Sequence, residues 1–243
     1  MSSIEIVELA DIPQKKRTVI TGFAGAGFIG NTALMHVVRS KGLRQVAYLH
    51  GNSMPPVMVL VDGEAKYSFR IYTDGSDELM FLITEAMISG ESAWEIGQEM
   101  MKWLKRKGVR EIIAFDGFPF SQPGANIFGF TTSGKNLQEY GIQPLGQGAI
   151  SGINASLMER TLKDNIPWTT LFVPTRMAGG IDYDGAVTAV KVLNNMFNME
   201  IETEQLEKIS EAISRATRTQ QPRRQQRKKS GFLDRILPGD QEA

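Results

Sequence analysis

A glycine-rich stretch between an apolar strand and an amphipathic helix constrains this chain more than any other feature. Val19 and Ile20 are β-branched residues typical of a strand buried on both faces. Four glycines that allow a tight turn follow them: Gly22, Gly25, Gly27 and Gly30. Apolar residues at helical spacing resume at Ala33. The pattern predicts the strand, turn and helix that open many α/β proteins.

The last three of these glycines also match the G-x-G-x-x-G spacing of dinucleotide-binding turns. In such turns a carboxylate about 20 residues further on holds the ribose. Here the next predicted strand, 45–49, ends at His50, and no carboxylate occurs before Asp62. The Gly-Lys-Ser/Thr ending of a phosphate loop is also absent. We therefore predict that the turn serves close helix–sheet packing and expect no cofactor, with a ligand in the turn as the alternative.

Composition excludes several classes of protein. The 243 residues include no cysteine, which fits a reducing cytosol and excludes disulfides, thiol nucleophiles and cysteine metal sites. Two histidines, His36 and His50, leave little for a metal cluster. No basic, apolar leader and no run of 18 apolar residues occurs. We expect a cytoplasmic protein with no membrane partner.

Strands and helices alternate along most of the chain, which predicts a single α/β domain over residues 1–217. Asp62-Gly63 predicts a hairpin turn between two of the strands, and Asp184 is predicted to cap a helix. The predicted strands are 4–9 (an edge strand), 45–49, 57–61, 67–72, 79–83, 109–115, 127–131 and 168–173, and further helices are predicted at 92–107, 149–163 and 202–217.

The predicted helix 92–107 favours a homo-oligomer. Its apolar stripe is flanked by Ile96 and Trp103. A helix with apolar residues on more than one side needs more than one layer to cover it.

The C-terminal residues differ in composition from the rest. Residues 1–214 carry a net charge of −5, whereas 215–229 contain seven basic residues and no acidic one. Residues 218–243 are predicted to be a flexible basic tail. Within it, the short amphipathic segment 231–238 places four apolar side chains at helical spacing, and these are the candidate protein-binding residues: Phe232, Leu233, Ile236 and Leu237.

No catalytic motif is visible, so no catalytic or metal residue is predicted. His50 at a strand end is the best-placed candidate base, with Asp116, Asp182 or Asp184 as carboxylate partners. Ser151, Ser156 and Thr175 lie in no nucleophile elbow. The basic tail lacks interleaved aromatic residues, so sequence-specific nucleic-acid binding is not expected.

Several motifs in this order resemble the proteasome assembly chaperone family of the second-subunit type, as found in archaea. They are G-F-A-G-A-G-F-I-G at 22–30, I-A-F-D-G at 113–117, G-A-I-S-G-I at 148–153, and Pro174 followed by D-G-A at 184–186. The resemblance covers roughly residues 15–215. It implies a three-layer α/β/α sandwich of phosphorylase/hydrolase-like fold.

The resemblance also implies a function. Characterised members of that family are regarded as ATP-independent assembly chaperones that form homo-oligomers and bind proteasome α subunits. Members that dock into the proteasome end in a hydrophobic residue, a tyrosine and any last residue. This sequence ends Gln241-Glu242-Ala243, which predicts that it lacks that tail and uses another docking element.

We therefore expect an assembly chaperone-like protein that binds other proteins, proteasome α subunits among them, and forms a homo-oligomer. The alternative is an enzyme of phosphorylase-like fold acting on a nucleoside or a phosphate-containing ligand. Such an enzyme would use the glycine turn and the irregular segment 118–148.

Overall fold

The computed structural model describes residues 4–88, 90–120, 126–177 and 179–216. Its strands are β1 (Ile4–Glu8), β2 (Arg17–Phe23), β3 (Arg44–Gly51), β4 (Met58–Val61), β5 (Glu64–Tyr67), β6 (Phe69–Thr73), β7 (Leu79–Thr84), β8 (Val109–Pro119), β9 (Phe128–Thr131), β10 (Gln143–Pro144) and β11 (Trp168–Thr175). Its helices are α1 (Ile29–Lys41), α2 (Gly90–Arg106), α3 (Gly152–Asp164), α4 (Tyr183–Phe197) and, over 204–216, α5.

Nine strands form one mixed sheet in the order β1-β3-β6-β7-β2-β8-β11-β9-β10. The four central strands β7, β2, β8 and β11 are parallel, and the strands on either side bring in antiparallel pairs. All seven residues of β2 are buried, as expected of a central strand covered on both faces. The predicted strand before the glycine turn therefore lies at the centre of the sheet.

Helices cover both faces of this sheet. On one face, α1, α4 and Leu206 of α5 pack on apolar strand residues such as Ile20 and Ile113. On the other face, α2 and α3 pack on residues such as Val19 and Ile112, whose side chains point the opposite way along the same strands. The predicted three-layer α/β/α sandwich is confirmed. In the described ranges no helix is both long and apolar enough to cross a membrane.

A separate two-stranded sheet contains only β4 and β5. Its turn is formed by Asp62 and Gly63, both with positive φ (53° and 82°), as the Asp-Gly signal predicted. The prediction of one strand over 67–72 is wrong, because the chain passes from β5 to β6 at the buried Ser68. The residues of β5 are mostly exposed, whereas all five of β6 are buried. The period-two pattern thus ran across two strands that belong to different sheets.

The structure also corrects two expectations, one about the packing of α2 and one about the cap of α4. Ile96 and Trp103 were expected to need a second layer, but both are buried within the chain, and Trp103 Nε1 donates a hydrogen bond to Glu8 Oε1 over 2.8 Å. A homo-oligomer thus remains a prediction without that argument. The cap of α4 is Asp182, whose carboxylate accepts from the Gly185 N–H, and Asp184 lies inside the first turn.

The corrected cap generates a stability prediction. We expect Asp182→Ala to lower the free energy of unfolding by about 2 kcal/mol. The substitution removes the N-cap acceptor and leaves the buried Thr175 hydroxyl without its hydrogen-bond acceptor. Asp184→Ala, at an exposed position of the same turn, should cost less than about 0.5 kcal/mol. Urea unfolding of the two variants measures the difference. Equal losses would contradict this assignment of the cap.

Candidate functional site

The carboxyl edge of the central strands is the place in this fold where a ligand would be expected. Of the adjacent parallel strands β2 and β8, the first is followed by α1 on one face of the sheet, and the second is followed, after β9 and β10, by α3 on the other face. The gap between β2 and β8 is therefore the topological switch point, where open α/β sheets usually bind their ligands. The glycine turn after β2 lies in that gap.

Protein atoms fill the space around the turn. A Cβ on Gly22 would lie 2.4 Å from the carbonyl oxygen of Gly30, and a Cβ on Gly30 would lie 2.7 Å from that of Phe115. Gly27 has a φ of 66°, and the backbone of Phe28 after it is also left-handed, with a φ of 48°. A Cβ on Gly117 would lie 1.8 Å from the Ala26 carbonyl oxygen. These contacts support the prediction that the glycines allow close packing of the chain upon itself.

Asp116 lies under the same turn, near the end of β8. A Cβ on Gly25 would come within 2.6 Å of its Oδ1. Burial raises the pKa of the Asp116 carboxyl from 3.8 to about 6, against the opposing effect of a backbone hydrogen bond at Gly117. Within the described residues Asp116 has no ion pair, so the turn is packed against a poorly solvated carboxyl group.

Asp182 joins the turn to the elements beside it. Its backbone N–H donates to the carbonyl oxygen of Gly27 over 2.9 Å. Its carboxylate accepts from Thr175 Oγ1 over 2.6 Å and from the Gly185 N–H over 2.8 Å. One residue thus connects the glycine turn, the end of β11 and the first turn of α4.

A cleft of about 490 Å³ opens beside Asp182, between the end of β11, the start of α4 and the C-terminal half of α5. Three apolar side chains in it are partly exposed: Met177 at 40%, Ile181 at 43% and Ile213 at 43%. Arg176 and Asp184 also line it, and neither forms an ion pair within the described ranges. The cleft contains both apolar surface and charges of each sign, and Asp184 Oδ1 accepts a hydrogen bond from Ser210 Oγ over 2.6 Å.

The structure does not bring the candidate catalytic residues together. His50, on β3, is paired with Glu5 of the edge strand β1, with 3.3 Å between Nε2 and Oε2. Three strands separate β3 from β8, so His50 lies about 19 Å along the sheet from Asp116. His36 contacts the carbonyl oxygen of Glu202 at 2.7 Å.

Two of the three hydroxyl candidates donate hydrogen bonds to structural partners. Ser156 donates to the Trp94 carbonyl oxygen over 3.0 Å, and Thr175 donates to Asp182. Ser151 is the residue before α3, and its side chain makes no capping hydrogen bond. Among the residues that the structure describes, no group of three or more histidine or acidic side chains could hold a metal ion.

The β4–β5 hairpin presents an apolar face that the sequence analysis did not single out. Met58 pairs with Tyr67 across the two strands, and Leu60 pairs with Ala65. Directly paired residues share one face of a hairpin. Leu60 is 78% exposed, Met58 57% and Tyr67 39%. The alternation of apolar residues at 58 and 60 ahead of the Asp-Gly turn was the available signal.

Two contacts link the hairpin to the body. The Tyr67 ring stacks on that of Tyr48 in β3, with centroids 4.2 Å apart and planes within 3°. Asp62 at the turn lies 3.8 Å from Arg39 of α1. The predicted protein-binding residues Phe232, Leu233, Ile236 and Leu237 lie outside the described residues.

Comparison with known proteins identifies relatives over most of the chain. The model of the PAC2 family matches residues 19–221. An uncharacterized protein of Methanocaldococcus jannaschii is 22% identical over 218 residues, which cover 88% of this chain and 89% of that protein. A crystal structure of a Thermoplasma acidophilum protein of unknown function is 27% identical, has a TM-score of 0.73, and covers 89% of this chain and 91% of its own.

Two Pyrococcus furiosus crystal structures share the fold. PbaA, described as an archaeal homolog of proteasome-assembly chaperone, has a TM-score of 0.79 at 20% identity. The match covers 97% of this chain and 100% of the PbaA chain. PbaB, described as an archaeal proteasome activator, has a TM-score of 0.77 at 16% identity, over 91% of this chain and all of its own.

The packing of the turn generates a prediction about its glycines. We expect Gly22→Ala to lower the free energy of unfolding by about 1–3 kcal/mol. The added Cβ would overlap the Gly30 carbonyl group and push the first turn of α1 away from β2. Gly75→Ala is the matched control, since nothing lies within 4 Å of its Cβ position. Chemical denaturation measures both. A Gly22→Ala protein as stable as the control would contradict the packing role.

The burial of Asp116 generates a pH prediction. Because its pKa is raised to about 6 in the folded protein, the folded state holds the proton more tightly than the unfolded chain does. Ionisation between pH 4 and 7 therefore lowers stability, by on the order of 3 kcal/mol. The free energy of unfolding of Asp116→Asn minus that of the unaltered protein should rise across this range. A difference independent of pH would exclude a buried, poorly solvated carboxyl group here.

Proposed function

The chain belongs to the PAC2 family, and from that premise we propose that it is an ATP-independent, chaperone-like assembly protein that binds other proteins, proteasome α subunits among them. The resemblance of its sequence motifs to proteasome assembly chaperones is confirmed by the family match and by the archaeal structures of the same fold. The known relatives described as an assembly-chaperone homolog and a proteasome activator support protein partners for this chain.

The observation that carries the proposal is the apolar face of the β4–β5 hairpin. Exposed apolar residues are common singly, but a set on one face of a projecting element marks an interaction site. Met58 and Leu60 lie on that face, and in the described part of the chain their side chains remain 57% and 78% exposed. A partner that buried both side chains would gain about 1.5–3 kcal/mol from each.

The attachment of the hairpin favours binding. The stack of Tyr67 on Tyr48 holds the base of the hairpin against β3, while the exposed Asp62–Arg39 pair at its turn contributes little. A surface already held in its binding conformation loses less conformational entropy on association. The hairpin is thus suited to dock as a preformed element.

Two further expectations belong to the same proposal. The protein acts in the cytoplasm as a homo-oligomer, and its C-terminal segment 231–238 is a second protein-binding element, through Phe232, Leu233, Ile236 and Leu237. The basic residues of 218–229 would add salt-dependent attraction to an acidic partner surface. The proposal requires neither nucleotide nor metal.

The test is direct binding to purified proteasome α subunits from the source organism, without ATP. Met58→Ser with Leu60→Ser should weaken binding by at least about tenfold, which corresponds to about 1.4 kcal/mol. Leu9→Ser is the matched control, because Leu9 is similarly exposed, at 55%, but lies outside the hairpin. Surface plasmon resonance gives all three affinities.

Two outcomes would contradict the proposal. Absence of binding by the unaltered protein would remove the α subunits as partners. Equal affinity for the hairpin variant and the Leu9→Ser control would show that recognition uses another surface.

A further inference from the structure

The cleft beside Asp182 has the features of a site for a short peptide. Its exposed apolar side chains Met177, Ile181 and Ile213 come from the loop after β11 and from α5. Its charged side chains are Arg176 and Asp184, neither of which forms an ion pair with another described residue, although Asp184 accepts a hydrogen bond from Ser210. An apolar surface bordered by one cation and one anion suits an amphipathic segment that carries one charge of each sign.

The chain leaves its described part at this cleft. Ile213 and Ser214 line the cleft, and α5 is described to residue 216, about 5 Å further along the helix axis. Residues 217–243 continue from there, and they include the predicted amphipathic segment 231–238. The segment is therefore tethered beside the cleft.

We propose that the segment 231–238 docks into the cleft of its own chain. Phe232, Leu233, Ile236 and Leu237 would cover the exposed apolar side chains of the cleft. Asp234 and Arg235 supply the two charges that complement Arg176 and Asp184. The segment and the cleft thus match in both apolar character and charge.

The length of the intervening chain permits this docking. Fourteen residues, 217–230, lead from the end of α5 to the start of the segment. A random-coil chain of that length has an r.m.s. end-to-end distance of about 22 Å. Short tethers give effective concentrations in the millimolar range. Even a segment with a dissociation constant of about 1 mM would then occupy its own cleft about half of the time.

This inference deepens the proposed function, because the same segment is proposed there to contact partners. Docking within the chain would shield its apolar face until a partner displaced it. The contact itself needs no partner. It can therefore be tested on the protein alone, and its failure would leave the binding of α subunits by the hairpin untouched.

Engineered disulfides provide the test, since the chain contains no cysteine that could compete. Met177→Cys with Leu237→Cys joins the cleft to the segment in the full-length protein. Glu204→Cys with Leu237→Cys is the matched control, because residue 204 starts α5 about 14 Å from Ile213. We expect the cleft pair to oxidise at least tenfold faster than the control, within one chain and independently of protein concentration.

Charge reversal tests the specificity of the contact in the same cysteine background. Asp184→Arg should slow disulfide formation by about two- to fivefold, as expected for loss of an exposed ion pair and its replacement by like charges. Arg235→Asp should have the same effect. The two changes together should restore much of the original rate, because they recreate an opposite pair.

Three results would overturn the inference. Equal rates for the cleft pair and the control would mean random collision of the tail with the body. Linkage only between different chains, at a rate that rises with protein concentration, would assign the segment to a second copy. Single and double charge reversals with no effect would show that Arg235 of the segment does not pair with Asp184.

Discussion

The hydrogen bonds of Asp182 hold the carboxyl edge of this sheet together. Its N–H fixes the glycine turn through Gly27, and its carboxylate fixes the end of β11 through Thr175 and the first turn of α4 through Gly185. β11 and α4 are successive elements of the chain, whereas the glycine turn comes from far earlier in it. Their meeting at one residue gives the edge its shape and forms one wall of the adjacent cleft.

This arrangement gives an enzyme-like fold an unusual use of its switch point. In many open α/β sheets the gap between the strands is left for a ligand. Here the turn enters the gap so deeply that Gly117 has no room for a Cβ beside the Ala26 carbonyl group. The glycines that resemble a cofactor motif permit close contact between protein backbones. In the described part of the chain, the hairpin face and the cleft beside Asp182 are exposed apolar surfaces outside this gap.

Local signals in the sequence predicted most of the central fold. The buried strand, glycine turn and helix, and the Asp62-Gly63 hairpin, depend on residues close together in the chain, so their patterns predicted them correctly. The strand over 67–72 was predicted wrongly because alternation does not reveal that a chain leaves one sheet for another at Ser68. The hydrogen bond from Trp103 to Glu8 joins residues far apart in the chain, and the periodicity of a helix cannot reveal such a contact.

The candidate site was less predictable for the same reason. Asp182 and Asp184 were both visible as candidates, but only the hydrogen bond from the Gly185 N–H to the Asp182 carboxylate distinguishes the cap from its neighbour. The apolar face of the hairpin depends on the pairing of Met58 with Tyr67 and Leu60 with Ala65, which requires the register of the two strands. Exposure of that face follows from its place outside the main sheet.

We propose that the chain recognises proteins through preformed surfaces while its own glycine turn fills the switch point. Hydrogen exchange followed by mass spectrometry, on the protein alone and with proteasome α subunits, tests this most directly. The account predicts slower amide exchange over residues 57–67 in the complex and unchanged exchange over 24–30. Unchanged exchange over 57–67, or new protection over 24–30 on addition of a nucleoside phosphate, would contradict it.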